Sequence, residues 1–161
     1  MRKLRIYPDP VLRKKAKPVK QVNQETLELL DEMVQIMRAS NGIGLAAPQV
    51  GESKQLIVIE IGKELLKLIN PKIISKKGKA SITEGCLSFP ELGVKVCRAQ
   101  KIRVKALNEK KKEVLIDADD LLAICLQHEI DHLYGKTIID YISWPKRWLV
   151  HKKFKQNKEV L

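Results

Sequence analysis

The 161-residue chain has few aromatic residues, few cysteines and no long apolar run. Each of these shortages argues against particular classes of protein. Aromatic residues make up 4% of the chain, which is too few for a base-stacking nucleic-acid surface. The longest apolar stretches, such as 56–59, are far shorter than the roughly 20 residues that cross a bilayer. The basic N-terminus lacks the apolar segment of a signal peptide, so we expect three reduced cysteines in a cytoplasmic protein.

The composition is that of a folded protein with a strong positive charge. Hydrophobic residues make up 44% and charged residues 31% of the chain. This length suffices for one hydrophobic core, so we expect a single domain over residues 1–161. The formal net charge of +12 indicates either a negatively charged partner, such as RNA, or a solvated lysine-rich surface. Without a basic run interleaved with aromatics, no sequence-specific nucleic-acid binding is expected.

Two predicted helices flank a strand-rich region. Asn23 is a good N-cap for the first helix, whose apolar residues repeat at helical spacing up to Asn41. The second helix begins at Asp119–Asp120, carries an apolar face and stops at Gly135. Residues 55–118 between them read as antiparallel strands and turns. This order predicts an α+β fold with antiparallel strands around a buried central helix.

The sequence also predicts where individual strands, loops and the C-terminal tail begin and end. Pro71 should mark a break between strands. The segment 83–90 should form an irregular, exposed loop, because a glycine precedes Cys86 and a proline follows it. Residues 137–141 should form a short strand or extended arm, followed by a basic helical tail over residues 146–161.

Residues 127–133 read Gln-His-Glu-Ile-Asp-His-Leu and contain the strongest chemical motif. His128 and His132 are four residues apart, so on a helix their imidazoles share one face and can hold one metal ion. Glu129 lies beside the first histidine, where a carboxylate can exchange protons with water activated by a metal. The alternative is a pair of histidines satisfied by ordinary hydrogen bonds in a packed helix. Because the chain has three histidines and two of them lie here, metal binding is favoured.

A third ligand is needed, because catalytic metal centres usually have three protein ligands and an open position. His151 lies in the basic tail without a surrounding motif, and Cys97 lies in an alternating strand. Cys125 is seven residues from His132, about 10 Å along a helix, which is too far for one ion. Cys86 lies in the expected loop, where functional side chains are often displayed. Cys86 is therefore the predicted third ligand.

The segment 42–49, Gly-Ile-Gly-Leu-Ala-Ala-Pro-Gln, directly follows the first helix. It carries no cation and opens no helix, so it is a poor phosphate-binding loop. Its glycines allow close approach of the backbone to a ligand, and Gln49 supplies a neutral amide donor. Taken alone, the segment is more typical of a tight packing turn.

The segments 42–49, 84–88 and 127–132 together closely resemble the three sequence motifs of peptide deformylases. In that family the motifs read Gly-x-Gly-Leu-Ala-Ala-x-Gln, Glu-Gly-Cys-Leu-Ser and Gln-His-Glu-x-Asp-His. All fixed positions are present here in the same order, and the similarity runs from Ile6 to about Ser143. The resemblance implies a catalytic domain that removes the formyl group from the N-terminal formyl-methionine of nascent polypeptides.

The same resemblance implies a role for individual residues and a cofactor. The implied ligands of one divalent metal ion are Cys86, His128 and His132. Fe²⁺ is expected in the cell, and Zn²⁺, Ni²⁺ or Co²⁺ are expected to be accepted. Glu129 would be the catalytic acid–base, and the Gln49 side chain and Leu87 backbone amide would face the formyl oxygen. The residues implied to bind substrate, as a methionine pocket or as backbone edges, are Ile43, Gly44, Leu45, Ile82, Glu84, Gly85, Leu121, Ile124 and Cys125.

One position departs from the family pattern. Many bacterial relatives carry an arginine seven residues after the metal cysteine, where this chain has Gly93, so any contact of that arginine with the downstream end of a substrate is in doubt. The tail is short and basic, and in some relatives a C-terminal helix docks on the ribosome. The basic residues of the tail that would serve this purpose are Lys146, Arg147, Lys152, Lys153 and Lys155. A solvated helix end is the alternative interpretation.

Two further hypotheses use the same motif. A metallopeptidase can be built on a His-Glu-x-x-His helix, but such enzymes take a further ligand downstream, and no matching motif follows here. A non-catalytic, zinc-stabilised domain that binds RNA or the ribosome is suggested by the net charge of +12. No membrane partner is expected.

Overall fold

The structure, a computed structural model, describes residues 2–158; residues 1 and 159–161 of the predicted domain and tail lie outside the described residues. Its α-helices are α1 (Gln24–Ala39), α2 (Asp120–Leu133) and α3 (Trp144–Lys158). Its strands are β1 (Gly44–Ala46), β2 (Leu56–Ile61), β3 (Glu64–Lys77), β4 (Ala80–Cys86), β5 (Phe89–Arg98), β6 (Lys101–Leu107) and β7 (Glu113–Asp119). All strand pairings between these elements are antiparallel, so the expected α+β fold with antiparallel strands is confirmed.

The strands form two sheets within the described residues. Five strands pair in the order β1-β2-β3-β6-β7, which makes β1 an edge strand. Strands β4 and β5 form a separate two-stranded sheet, in which Ile82 lies opposite Val96. Both β1 and β4 therefore keep one edge that no other described strand covers, and such an edge can pair with an added peptide.

Helix α1 forms where its sequence predicts it. The Asn23 side chain accepts a hydrogen bond from the Thr26 backbone N–H at 3.0 Å, which satisfies one free donor of the first turn. Leu30, Met33 and Met37 recur at helical spacing and are fully buried. They belong to one apolar cluster with residues of β1 and β2, so this helix serves to pack one end of the five-stranded sheet.

Helix α2 is largely buried between the strands and the cleft described below. Leu126 and Ile130 of the helix share a core cluster with Ile57 of β2 and Val104 of β6. Each such aliphatic side chain contributes about 1.5–3 kcal/mol when it is fully buried. The chain leaves the helix through Gly135, whose φ of 72° allows the turn. Packing on the sheet therefore fixes where the side chains on the other face of α2 lie.

The predicted break at Pro71 is wrong, because strand β3 continues through it. The register with β6 shifts between Ile69 and Lys72, and Asn70 has a φ of 52° there. Such a bulge tolerates a proline, whose missing N–H would otherwise leave a gap in the ladder. The Asn70 side chain also bonds the backbone N–H and C=O of Val19, each at 2.8 Å, which joins the bulge to the N-terminal segment.

Two other local predictions are also wrong. The segment 83–90 is a tight hairpin rather than an irregular loop, because Cys86 at the end of β4 pairs with Phe89 at the start of β5. Residues 137–141 form a 3-10 helix at Ile138–Tyr141 instead of a strand. The Thr137 N–H donates to the Asp140 carboxylate at 2.8 Å, and this capping bond favours the turn over an extended arm.

Helix α3 packs against the N-terminal segment through an aromatic cluster. Tyr7 stacks on Phe89 with ring centroids 4.8 Å apart, and Phe154 of α3 meets both rings edge-on. The Nδ1 atom of His151 on α3 lies 2.8 Å from the Tyr7 hydroxyl, within hydrogen-bond distance. His151 is therefore not part of the group of candidate metal ligands. In the part of the chain that the structure describes, no helix combines the length and apolarity needed to cross a membrane.

An alanine at Gly135 should destabilise the protein far more than an alanine at Gly62. Both glycines have positive φ, 72° and 61°, so either alanine meets the left-handed penalty of about 1–2 kcal/mol. A Cβ at Gly135 would also lie 2.4 Å from the Arg13 carbonyl oxygen, whereas one at Gly62 meets no described atom within 4 Å. Urea unfolding should therefore show a loss of about 1 kcal/mol for Gly62→Ala and at least about 3 kcal/mol for Gly135→Ala. Equal losses of unfolding free energy in the two variants would show that the close contact with the Arg13 carbonyl oxygen has no cost.

Candidate metal centre and cleft

Three side chains that can bind a metal ion converge where β4 ends beside α2. One ligand atom each from Cys86, His128 and His132 lies within 4.8 Å of the other two. The two histidine rings meet edge-on along one face of α2, with centroids 5.1 Å apart. The Cys86 Sγ lies 3.3 Å from His132 Nε2, although 46 residues separate them in the chain. The structure thus brings together the three residues predicted as ligands, whose binding of a metal stays a prediction.

This donor set fits a divalent ion with an open coordination position. Thiolate and imidazole ligands at bonds of about 2.0–2.3 Å around a tetrahedral ion lie about 3.5 Å from one another. No fourth His, Cys, Asp or Glu joins the group in the described part of the chain. Among the described residues, Glu129 Oε2 and His132 Nδ1 are buried side-chain atoms without a hydrogen-bond partner. The unpartnered Glu129 oxygen is the kind of buried atom found where a water or ion binds, whereas His132 Nδ1 lies on the ring edge away from the Nε2 that approaches Cys86.

A buried network of ion-paired side chains fixes the orientation of the His128 ring. Its Nδ1 donates to the Glu84 carboxylate at 2.8 Å, which leaves Nε2 as the ring nitrogen that can face an ion. The Glu84 carboxylate also accepts two hydrogen bonds from the Arg98 guanidinium, and Arg98 donates to Asp131 at 2.9 Å. Burial would raise the pKa of Glu84, but the hydrogen bonds from His128 and Arg98 outweigh it and keep this pKa below its usual range. Glu84 is therefore a carboxylate at neutral pH.

Sequence reasoning missed most of this network. It assigned Glu84 to a backbone edge for substrate, whereas the side chain is turned inward to His128 and Arg98. Asp131 lies inside the Gln-His-Glu-Ile-Asp-His motif, so its position next to the histidines was a usable signal. Arg98 had no such signal, because it is one of two cationic residues in an alternating strand.

Glu129 is buried against the backbone of β1. A Cβ at Gly44 would lie 2.4 Å from Glu129 Oε1 and 2.9 Å from the Cys125 Sγ, so this approach requires glycine. Burial raises the pKa of Glu129 to about 7, although the nearby charges of His128 and Arg98 oppose the shift. A carboxyl group with a pKa near neutrality can both accept and donate a proton in one reaction cycle.

The Gln49 amide is fixed in orientation by its neighbours. Its Oε1 accepts the Ala46 backbone N–H at 2.8 Å, so its Nε2 is directed toward the Ser88 Oγ at 3.2 Å and the Cys86 Sγ at 3.5 Å. Both Gln49 and Ser88 are almost fully buried, and Ser88 was not singled out from the sequence. The segment 42–49 thus packs tightly, as expected from its residues alone, and also presents an amide donor beside the candidate metal ligands.

A cleft of about 840 Å³ opens beside the cluster. Several large apolar side chains on its wall are unusually exposed, with Ile43 at 46%, Ile82 at 38% and Leu121 at 44%. The other predicted site residues that line the cleft are Gly44, Gln49, Glu84, Gly85, Cys86, Leu87, Ile124, Cys125, His128 and Glu129. The Leu45 side chain is buried in the core with α1, so only its backbone is available to a ligand.

Fold and site together define a class of α+β proteins in which one helix and one hairpin bring two histidines, a glutamate and a thiol together beside a single cleft. The family model of polypeptide deformylases matches residues 1–148. The chain belongs to the peptide deformylase family. Membership implies a hydrolase that depends on a divalent metal ion and removes the N-formyl group from nascent peptides.

Solved structures of bacterial peptide deformylases are similar over nearly the whole chain. One from Legionella pneumophila is 42% identical, with a TM-score of 0.92 over 99% of this chain and 96% of that one. One from Thermotoga maritima is 40% identical, with a TM-score of 0.86 over 89% of this chain and 98% of that one. One from Ehrlichia chaffeensis, in complex with actinonin, is 36% identical, with a TM-score of 0.93 over 98% and 97% of the two chains.

Glu84→Gln should weaken metal binding by about 10–100-fold, the usual cost of losing a partner behind a metal-ligating histidine. The neutral amide can still accept from His128, but it no longer supplies the charge that balances Arg98. Competitive titration of zinc against a chelator measures the affinity. Glu60→Gln is the matched control, since it removes a carboxylate that pairs with Arg38 on the surface. Equal zinc affinities of the two variants would show that Glu84 does not support His128.

Proposed function

We propose that this chain hydrolyses the N-formyl group of N-terminal formyl-methionine in nascent polypeptides and releases formate. The observation that carries the proposal is the approach of Cys86, His128 and His132 to within 4.8 Å of one another beside the cleft that Glu129 lines. Membership of the peptide deformylase family supports the same reaction. We further propose that residues 1–161 form one catalytic domain that acts in the cytoplasm, where nascent chains are made.

Cys86, His128 and His132 would hold the divalent ion, with Fe²⁺ as the native metal and Zn²⁺, Ni²⁺ or Co²⁺ as substitutes. When bound, such an ion would lower the pKa of a water molecule, so that hydroxide would be available near neutral pH. As a thiolate ligand, Cys86 would offset one of the two positive charges, and one thiolate with two imidazoles suits soft or borderline metals. This donor set therefore agrees with the acceptance of several metals.

Glu129 is the proposed acid–base. Its carboxylate accepts the proton of the attacking water and delivers that proton to the amine that leaves with the peptide. Gly44 supports this role, because the glycine backbone lets Glu129 Oε1 lie directly beside β1. The oxygen of the formyl group develops negative charge during attack, and the Gln49 Nε2 and the Leu87 backbone N–H are the proposed donors to it. The fixed orientation of the Gln49 amide supports that assignment.

The substrate peptide is proposed to bind as an added strand between β1 and β4, at Gly44 and Leu45 on one side and Glu84 and Gly85 on the other. The open edges of both strands support this arrangement. The apolar side chains proposed to hold the methionine are Ile43, Ile82, Leu121, Ile124 and Cys125. Backbone pairing would tolerate varied residues after the methionine. Actinonin, present in the similar Ehrlichia chaffeensis structure, is proposed to bind in the same cleft.

The basic helix α3 is the proposed contact with the ribosome, where formylated chains emerge. Residues 144–158 contain six lysines and arginines and no aspartate or glutamate, which suits a surface of RNA phosphates. Trp144 and Trp148 are 74% and 52% exposed on this helix. A solvated helix end without a partner is the alternative, and loss of ribosome co-sedimentation in Lys152→Ala/Lys153→Ala, which changes two exposed lysines of the helix, would distinguish the two.

Formate release from formyl-Met-Ala-Ser, with acetyl-Met-Ala-Ser as the blocked control, tests the reaction. A deformylase should release formate from the first peptide and leave the second intact. Cleavage of an internal peptide bond in either substrate would instead identify a metallopeptidase. A structural metal-binding domain would turn over neither peptide while retaining its metal.

Glu129→Gln should lower kcat by about 10²–10⁴-fold, because an amide cannot exchange the proton that the reaction moves. The three metal ligands are unchanged in this variant, so metal content by atomic emission should stay at the wild-type value. Glu109→Gln, in the exposed loop between β6 and β7, is the matched control and should keep full activity. Wild-type turnover by the Glu129→Gln variant would show that Glu129 is not the acid–base of the reaction.

Gln49→Glu should lower kcat by about 10²–10³-fold, the usual effect of losing one donor to a developing oxyanion. The carboxylate can still accept from the Ala46 N–H, so the local fold should persist, but it presents an acceptor where Nε2 was a donor. Steady-state kinetics with formyl-Met-Ala-Ser, together with circular dichroism of the variant, check both parts. A change confined to KM would argue for ground-state binding instead.

A further inference from the structure

A second cavity, of about 420 Å³, lies on a different face of the helix that carries the metal-ligating histidines. Helix α2 contributes Gln127 and Asp131 to this cavity, one turn apart, whereas His128 and Glu129 of the same helix line the cleft. Its volume is within the range of small-ligand sites, roughly 300–1,000 Å³. Arg98 and Asp131 on its lining also belong to the network that supports His128, whereas the lysines on its lining have no role in the proposed deformylation.

The lining of the cavity is strongly cationic. The cationic residues on this lining are Lys76, Lys77, Lys79, Arg98 and Lys136. Asp131 is the carboxylate on the lining, and it is already hydrogen-bonded by Arg98 at 2.9 Å and by Tyr141 at 2.6 Å. None of the four lysines forms an ion pair with a carboxylate of the described residues, whereas Lys54 and Lys67 elsewhere do. The cavity therefore carries positive charge that the described part of the chain does not balance.

The backbone explains why these lysines share one concavity. Lys76 and Lys77 end β3, Gly78 reverses the chain with a φ of 71°, and Lys79 begins the return toward β4. Lys136 reaches the same cavity from the loop after α2, with its Nζ 4.0 Å from the Tyr141 ring centroid. Like charges gathered in a concave wall repel one another and focus a positive field, which a bound anion relieves. Lysine ammonium groups bind phosphates as mobile point charges.

We propose that this cavity is a binding site for a small, multiply charged phosphate-bearing anion. The volume of this cavity, about half that of the cleft, favours a compact ligand over an extended strand. Tyr141 is the aromatic residue on the lining, and its ring is contacted by Lys136 and by the Arg98 guanidinium at 4.9 Å. Because cations cover that ring, it is not free to stack on a base as a single-stranded RNA site requires. The recognised chemistry is therefore phosphate charge rather than nucleotide sequence.

Calorimetric titration of the full-length protein with inorganic tripolyphosphate tests this site. The Lys76→Ala/Lys79→Ala variant should bind tripolyphosphate about tenfold more weakly, because each substitution removes a direct interaction with the anion. Lys110→Ala/Lys112→Ala is the matched control, since it removes two exposed lysines from the loop between β6 and β7 and changes the net charge equally. The control should bind tripolyphosphate within about twofold of the wild type.

Each alternative result has a definite meaning. Equal weakening in the two double variants would overturn the site, because the anion would then respond to net charge alone. Loss of single-stranded RNA binding in Lys76→Ala/Lys79→Ala, with tripolyphosphate affinity unchanged, would also overturn it in favour of a nucleic-acid surface. All four substituted lysines are exposed, and equal thermal unfolding midpoints without anion would exclude misfolding as the cause. Neither measurement requires turnover, so failure of the proposed deformylation would not affect the result.

Discussion

The hydrogen bond from His128 Nδ1 to the Glu84 carboxylate is the interaction on which the candidate site depends. It ties strand β4 of the two-stranded sheet to helix α2, which packs on the five-stranded sheet. Arg98 balances the charge of Glu84 where both side chains are almost fully buried. Removing one partner of such a pair costs about 3–5 kcal/mol, so the network is held as a unit. The same contact fixes the histidine tautomer and leaves Nε2 toward the cluster.

The polar side chains of helix α2 have different roles on different faces of the helix. The Gln127 amide is satisfied by the Ala99 and Ala123 backbone carbonyls, which makes it part of the structural scaffold. Glu129, on the cleft side, keeps an oxygen without a partner among the described residues, and burial raises its pKa to about 7. An unsatisfied buried carboxyl group costs stability in a core helix. The remaining packing of the helix offsets that cost, and the result is a group suited to proton transfer.

Local sequence patterns account for much of the fold, and the exceptions have identifiable causes. The Asn23 cap and the alternation in Lys101–Leu107 predict helix α1 and strand β6 where the structure has them. The bulge at Asn70 lets strand β3 pass Pro71, because its side chain bonds Val19, a partner 51 residues away. Patterns within a short window report propensity and period, and they do not report such distant partners.

The sequence by itself determined which side chains are candidate metal ligands, because a spacing of four places His128 and His132 on one helical face. It also determined the family, since three separate motifs occur in order. Only the tertiary structure decided that the Cys86 sulfur lies 3.3 Å from His132 Nε2, that Arg98 stands behind Glu84, and that the Leu45 side chain is in the core. The physical reason is that periodicity within an element sets which way a side chain faces, whereas packing between elements sets what it meets.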